Sequence, residues 1–215
     1  MRMRKKPNLI PRMERCAHVQ IKVPEDLLGK WKATFPDYEA LHLELGCGKG
    51  RFTVDTAEQN PNVLMVAIER VPDAMVVGME RVCERKLENV RFLDKDVANI
   101  PSIFEAGEVD RIYINFCDPW PKKRDAKRRL TSGGFLKLYQ AILPVGGEIH
   151  FKTDNLPLFE YSLEQFEEAG YLLKEVTFDL HEHGPVGVMT DYEAKFYEQG
   201  IKINRCVAVV KGQEA

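Results

Sequence analysis

Between Leu41 and Lys152, apolar runs of strand length alternate with longer segments whose apolar residues recur at helical spacing. Few folds accommodate this rhythm. Connections long enough to hold a helix join neighbouring strands in the same direction, so the chain must build a parallel sheet with helices on its faces. The pattern predicts strands over Leu41–Gly46, Val63–Glu69, Val90–Leu93, Arg111–Phe116 and Glu148–Lys152. Helices are expected over about Arg51–Gln59, Asp73–Lys86, Phe135–Leu143 and Leu158–Ala169, with a short helical piece near Ile100–Glu105. Leu158, Phe159, Leu163 and Phe166 carry the apolar face of the last of these helices. Two β-rich runs, Leu172–Leu180 and Ile203–Val210, close the chain around a short helix near Tyr192–Gln199. The fold class is therefore α/β, with a mostly parallel seven-stranded sheet.

The 215 residues suffice for one such domain and a core that needs no disulfides or metal. Residues 37–215 hold the alternating pattern, and residues 1–36 read as a basic N-terminal arm and extension. The formal net charge is only −2, but its distribution is uneven. Arg2, Arg4, Lys5, Lys6 and Arg12 make the N-terminus basic, and a second cationic cluster runs from Lys122 to Arg129. Local patches of this kind attract nucleic acid whatever the total charge. Five cysteines without a C-x-x-C pair argue against a disulfide framework or a zinc site. With neither a signal-peptide pattern nor an apolar run of about 20 residues, the expectation is a cytoplasmic protein without a membrane partner. Monomer and homodimer are both open.

The sharpest local signal is Glu44-Leu45-Gly46-Cys47-Gly48-Lys49-Gly50, at the end of the first strand. Glycines permit a left-handed turn and close approach of a ligand to the backbone. The helix that follows presents its N-terminus to a polar group. A dinucleotide fingerprint needs glycine where Arg51 stands, and a P-loop needs Ser or Thr where Gly50 stands. Glu44, two residues before the first glycine, suits neither scheme but does suit the ammonium of a methionine moiety. Glu69 and Asp96 follow the second and third strands, where open α/β sheets bind their ligands. One can accept both ribose hydroxyls and the other an adenine amino group. Together these acids specify a nucleoside with a cationic tail.

The fourth strand runs into Asn115-Phe116-Cys117-Asp118-Pro119-Trp120-Pro121-Lys122-Lys123-Arg124. Prolines restrict the backbone around Asp118, and the cationic loop follows at once. These residues, with ELGCGKGRF before them and HFKTDN after them, resemble the bacterial tRNA (guanine-N7)-methyltransferases. The similarity extends over nearly the whole chain, and its D-P-W-P-K-K-R segment is its most specific part. It implies a Rossmann-like class I methyltransferase fold whose last strand inserts antiparallel, S-adenosyl-L-methionine as cofactor, and tRNA as partner. By this resemblance Glu44, Gly46, Gly48, Glu69, Asp96 and Asp118 bind the cofactor, and Asp118 is also the catalytic residue. Lys122, Asp154, Thr190, Asp191, Tyr192 and Glu193 are then substrate contacts, and Arg124, Lys127, Arg128 and Arg129 contact RNA. Ala67, Asn204 and the Gly133-Gly134 pair depart from the family's usual residues, without removing any of these ligands.

The chemistry suits the resemblance. Guanine N7 has a lone pair and no proton, so methylation there needs orientation rather than a general base. A carboxylate stabilises the positive charge that develops on the purine, and Asp118 is the candidate. Thr190 and Glu193 admit two readings: they read the guanine edge together with Asp154, or form a capping box for the next helix. His181-x-His183 lacks the third ligand that a metal site needs, and Cys117 reads as a small buried thiol. Other functions left open are a methyltransferase for another nucleic-acid base and a non-catalytic RNA-binding subunit.

Overall fold

The computed structural model describes residues 5–212. Seven strands form one sheet: β1 (Ala40–Leu45), β2 (Val63–Ile68), β3 (Val90–Leu93), β4 (Arg111–Asn115), β5 (Glu148–Thr153), β6 (Tyr171–Thr177) and β7 (Asn204–Val210). Their spatial order is β3-β2-β1-β4-β5-β7-β6. The pairings from β3 to β5 are parallel, and β7 lies antiparallel between β5 and β6. The mixed sheet and its inserted last strand are thus as the sequence predicts.

The two faces of β1 show how the pattern becomes layers. Leu41, Leu43 and Leu45 point to one face, where they pack with Leu136, Tyr139, Phe159 and Phe166. Those partners come from α5 (Gly133–Ile142) and α6 (Leu156–Glu168). On the other face α3 (Arg51–Gln59) and α4 (Pro72–Arg85) bring Phe52, Val54, Met75, Met79 and Val82 against Met65, Ala67 and Phe92. A parallel sheet must be covered on both sides, which is why its central strands are near-continuously apolar.

Among the described residues, the N-terminal segment makes several contacts with the sheet domain. Trp31, on α2 (Trp31–Thr34), is buried in the main core, and its indole N–H donates to the Ile103 carbonyl at 2.8 Å. Glu108 anchors the same segment, accepting from the backbone N–H groups of Gly29 and Trp31. Earlier still, α1 (Leu9–Arg15) packs on α4, where Arg12 pairs with Glu80 through Nε at 2.7 Å. This expected member of the basic arm is therefore tied to the fold. Arg2 and Arg4 lie outside the described residues.

The face that carries His42 also carries Tyr113, Glu148 and His150. Glu148 accepts from His150 at 2.8 Å and pairs with Arg111 at 2.7 Å. Burial, reinforced by the Arg111 charge, lowers the pKa values of both His42 and His150 to about 4. The unfolded chain binds protons to these groups below its ordinary value near 6.5, while the folded chain does not. Stability is therefore lost as pH falls from about 6.5 to about 4, by at most about 3 kcal/mol per imidazole. Urea midpoints should fall between about pH 7 and 5, before most carboxylates titrate. The double variant His42→Asn/His150→Asn should flatten that slope. Parallel profiles for the variant and the wild type would show that these imidazoles are not responsible.

Candidate cofactor cleft and nucleic-acid interface

The strand order reverses between β1 and β4, so the connections leaving their carboxyl ends diverge and open a crevice there. Glu44, Glu69, Asp96, Asp118 and Asp154 all stand at or just after strand ends along this edge. The glycine turn follows β1 with Gly46 at φ 74° and Gly48 at φ 57°, conformations that side chains resist. A Cβ on either would meet nothing within 4 Å, so the turn borders open space. Gly50 differs: a Cβ there would lie 2.8 Å from the Gly78 Cα, and its smallness lets α3 and α4 meet. Glu69 accepts from the Gly48 and Val71 N–H groups, both at 2.8 Å, and so fixes the turn to the end of β2. Asp96 caps the short 3₁₀ turn Val97–Ser102 by accepting from the Ala98 N–H at 3.0 Å, and it reaches Arg70 at 3.4 Å.

Glu44 lies deeper than the sequence suggests, with only 2% of its surface exposed. Its carboxylate accepts from the Thr53 hydroxyl and, at 3.1 Å, from Asn115 Nδ2. Burial raises its pKa, and these two hydrogen bonds oppose the rise. The remaining oxygen of Asn115, Oδ1, is buried without a partner. An orphaned acceptor costs about 1–3 kcal/mol, and a ligand amine beside Glu44 would satisfy it. Open glycines, an anionic floor and an unpaired acceptor fit S-adenosylmethionine.

β4 leads out of the sheet through Phe116 at φ 53° and Trp120 at φ 41°, two left-handed turns at bulky residues. Between them Asp118 is exposed at the crevice edge. Arg129 holds this loop, donating to the Pro119 carbonyl at 3.0 Å and the Trp120 carbonyl at 3.1 Å. Its guanidinium also lies 4.2 Å from the Tyr161 ring centroid. Arg129 is thus a strut as well as a cation. Arg128 covers the Trp120 ring at 3.9 Å, which removes one face of that indole from stacking with bases. Lys122, Arg124 and Lys127 are exposed. Burial, reinforced by Asp118, pushes the Cys117 thiol up to about 12, which suits an inert side chain.

The Thr190–Glu193 segment shows the second of its two expected readings. Thr190 and Glu193 form the capping box of α7 (Asp191–Glu198), with Glu193 N–H donating to Thr190 Oγ1 at 3.0 Å. Glu193 is fully buried, and both its oxygens are committed. Oε2 accepts from Lys152 Nζ at 2.7 Å and from the Thr190 N–H at 3.2 Å, and Oε1 pairs with His181 Nε2 at 3.1 Å. His181 Nδ1 accepts from the Val186 N–H, so the imidazole proton is on Nε2 and points at Glu193. Fully buried and holding these three partners, Glu193 presents no exposed carboxylate edge in this arrangement. Asp191 is likewise engaged, 3.2 Å from Arg81, which also donates to the Lys49 carbonyl in the glycine turn. Of this stretch Tyr192 stands free, 65% exposed, and Asp154 is exposed at the end of β5. Sequence reasoning passed over Lys152 and Asn115, whose only signal was their position at strand ends facing the same way as Glu44.

Among the described residues no cluster of His, Cys, Asp or Glu could hold a metal, and no helix is long and apolar enough to cross a membrane. A sheet of this order, with a glycine turn after β1 and acids at the next strand ends, defines a class I methyltransferase. A sequence profile described as putative methyltransferase matches residues 38–206. The chain belongs to this family, that of the tRNA guanine-N7 methyltransferases. Among solved structures it is similar to the 16S rRNA methyltransferase KamB, with a TM-score of 0.66, 16% identity, and 86% and 94% of the two chains covered. TrmN from Thermus thermophilus gives a TM-score of 0.55 and 21% identity over 80% of this chain and 44% of that one. Haemonchus contortus phosphoethanolamine N-methyltransferase 2, in complex with S-adenosyl-L-methionine, gives 0.52 and 15% over 86% and 54%. At such identities the likeness establishes the fold.

Breaking a buried ion pair from one side strands the other charge, at a cost of about 3–5 kcal/mol. Glu193→Ala should therefore lower unfolding free energy by about that much, measured by urea titration. Asp154→Ala, at an exposed site, should change it by no more than about 0.5 kcal/mol. Equal stabilities for these two variants would contradict the structural role assigned to Glu193.

Proposed function

We propose that this methyltransferase transfers the methyl group of S-adenosylmethionine to N7 of a guanosine in the variable loop of tRNA. The observation that carries this reading is the exposed cationic loop, which leaves β4 directly after Asp118 and beside the glycine turn. Family membership points the same way, and KamB, named as a 16S rRNA methyltransferase, is a protein of this fold whose name gives an RNA substrate.

Gly46 and Gly48 would admit the cofactor close to the backbone, Glu44 and Asn115 would receive its ammonium, and Glu69 and Asp96 its ribose and adenine. The bound cofactor supplies an electrophilic sulfonium methyl. Its transfer to N7 removes no proton, so what the protein contributes is alignment and charge. Asp118, between two left-handed turns and in a loop braced by Arg129 through the neighbouring carbonyls, is the candidate carboxylate for the charge that develops on the purine. Asp154, Tyr192 and Lys122, all exposed, are the remaining candidates for contacting the target nucleoside.

The direct experiment incubates unmodified tRNA with the protein and labelled cofactor, then cleaves chemically at N7-methylguanosine. Cleavage at a variable-loop guanosine is expected; label elsewhere in the RNA, or none, would overturn the reading. Asp118→Asn should slow single-turnover methylation by roughly 10²–10³ while leaving tRNA affinity within a factor of a few. A normal rate at saturation would remove the electrostatic role. Arg124→Ala and Lys127→Ala should each lower the log–log salt slope of tRNA binding by up to about 0.9. An unchanged slope in the double variant would make this loop a solvated face.

A further inference from the structure

One guanidinium joins the glycine turn to α7. Arg81, on α4, lies 32 residues from Lys49 and 110 from Asp191 in the chain. Its Nη1 donates to the Lys49 carbonyl at 3.1 Å and to Asp191 Oδ2 at 3.2 Å. Asp191 opens α7, where the helix dipole favours an acid. Its other oxygen lies 3.9 Å from Arg51 Nη1, at the first position of α3. The carboxylate is thus held by arginines from both helices that pack beside the turn.

Close packing sets the reach of Arg81. Gly78 stands three residues earlier on α4, hence on the same side of the helix. A Cβ added to Gly78 would lie 3.3 Å from the Gly50 Cα, and one added to Gly50 would lie 2.8 Å from the Gly78 Cα. Helix α4 is therefore pressed against the end of the turn, one helical step from Arg81. The rest of the turn is fixed to β2, since Gly46 and Cys47 donate to the Ile68 carbonyl and Gly48 donates to Glu69. On the other side of the bridge, Glu193 binds α7 to Lys152 of β5. Tyr192, well exposed, stands between these two anchored acids. The Arg81–Asp191 pair itself is partly exposed, at 29% and 37%. Such pairs contribute little to stability. What this one constrains is the position of one part of the site relative to another.

We propose that Arg81 is a positioning residue for methyl transfer: by bridging the Lys49 carbonyl and Asp191, it holds the turn that would carry the methyl donor in a fixed relation to the helix that would present Tyr192 to the acceptor. This rests on the reading of the glycine turn as the S-adenosylmethionine site and of Tyr192 as a nucleoside contact. Transfer to N7 involves no proton step, so alignment of donor and acceptor governs its rate. A displacement of about 1 Å can cost about a hundredfold. Asp191 then acts through Arg81 rather than by touching the nucleoside.

Arg81→Met keeps an unbranched stem and removes the donors, and Asp191→Ala removes the shared acceptor. Thermal melts establish that each variant folds, and either one carries both readouts if the other does not. The first readout needs no ligand. Amide hydrogen exchange of the free protein should quicken about two- to fivefold both in residues 46–50 and in residues 190–193, with the central strands unchanged. Faster exchange in one of these segments alone, or in neither, overturns the proposal. The second readout is single-turnover methylation of tRNA at saturating cofactor and RNA. Each variant should be about tenfold to a hundredfold slower, while affinities for S-adenosylhomocysteine and tRNA stay within about threefold. The double variant should be no slower than the slower single one, because either loss breaks the same bridge. Effects that multiply, or a normal rate at saturation with affinity alone reduced, overturn the proposal. A wild type that methylates no tRNA would overturn the functional reading on which the proposal rests, and the proposal with it.

Discussion

A sheet whose strand order reverses between β1 and β4 cannot close its carboxyl edge, because the connections on either side of the reversal must leave in opposite directions. Nearly every candidate site residue of this chain is hung on that gap. The glycine turn, Glu69, Asp96, the Asp118 loop and Asp154 all occupy strand ends on one edge. The apolar layers set their positions. Leu41, Leu43 and Leu45 on one face, with Met65 and Ala67 on the other, hold the strands in the only register that buries both sides.

Polar groups then extend the core into the site. Thr53, Glu44 and Asn115 form one buried hydrogen-bonded set, and Lys152, Glu193 and His181 form another on the same face. Buried charge is tolerated only when it is paired and hydrogen-bonded. The directional bonds of these two sets fix the geometry of the groups they join. Through Val188 and Val186 the second set holds the 181–190 segment against the sheet, and through Asp191 and Arg81 the same segment is tied to the glycine turn. The glycine turn and the 181–191 segment are therefore parts of one network.

The cationic loop shows how composition and structure divide the work. Its run of Lys and Arg suggests a uniform patch, but its members do different things. Arg129 braces the backbone that presents Asp118, Arg128 lies on Trp120, and Lys122, Arg124 and Lys127 face solvent. An arginine can brace because its planar fork reaches two carbonyls at once. The exposed members, free of such duties, are the ones available to phosphates.

The sequence by itself determined the element order, the parallel sheet, the glycine turn and the acids at its edge. Each of these follows from local periodicity or from residues next to one another in the chain, which act over a few residues. It also offered the capping box as one of two roles for Thr190 and Glu193. Tertiary structure alone showed the cap buried, because that depends on Lys152 and His181, 41 and 12 residues away from Glu193. The depth of Glu44, its exchange with Asn115 and the placement of Trp31 in the core were likewise invisible in the chain. Burial and charge pairing arise from which strands and helices become neighbours, and that neighbourhood exists only once the sheet has formed.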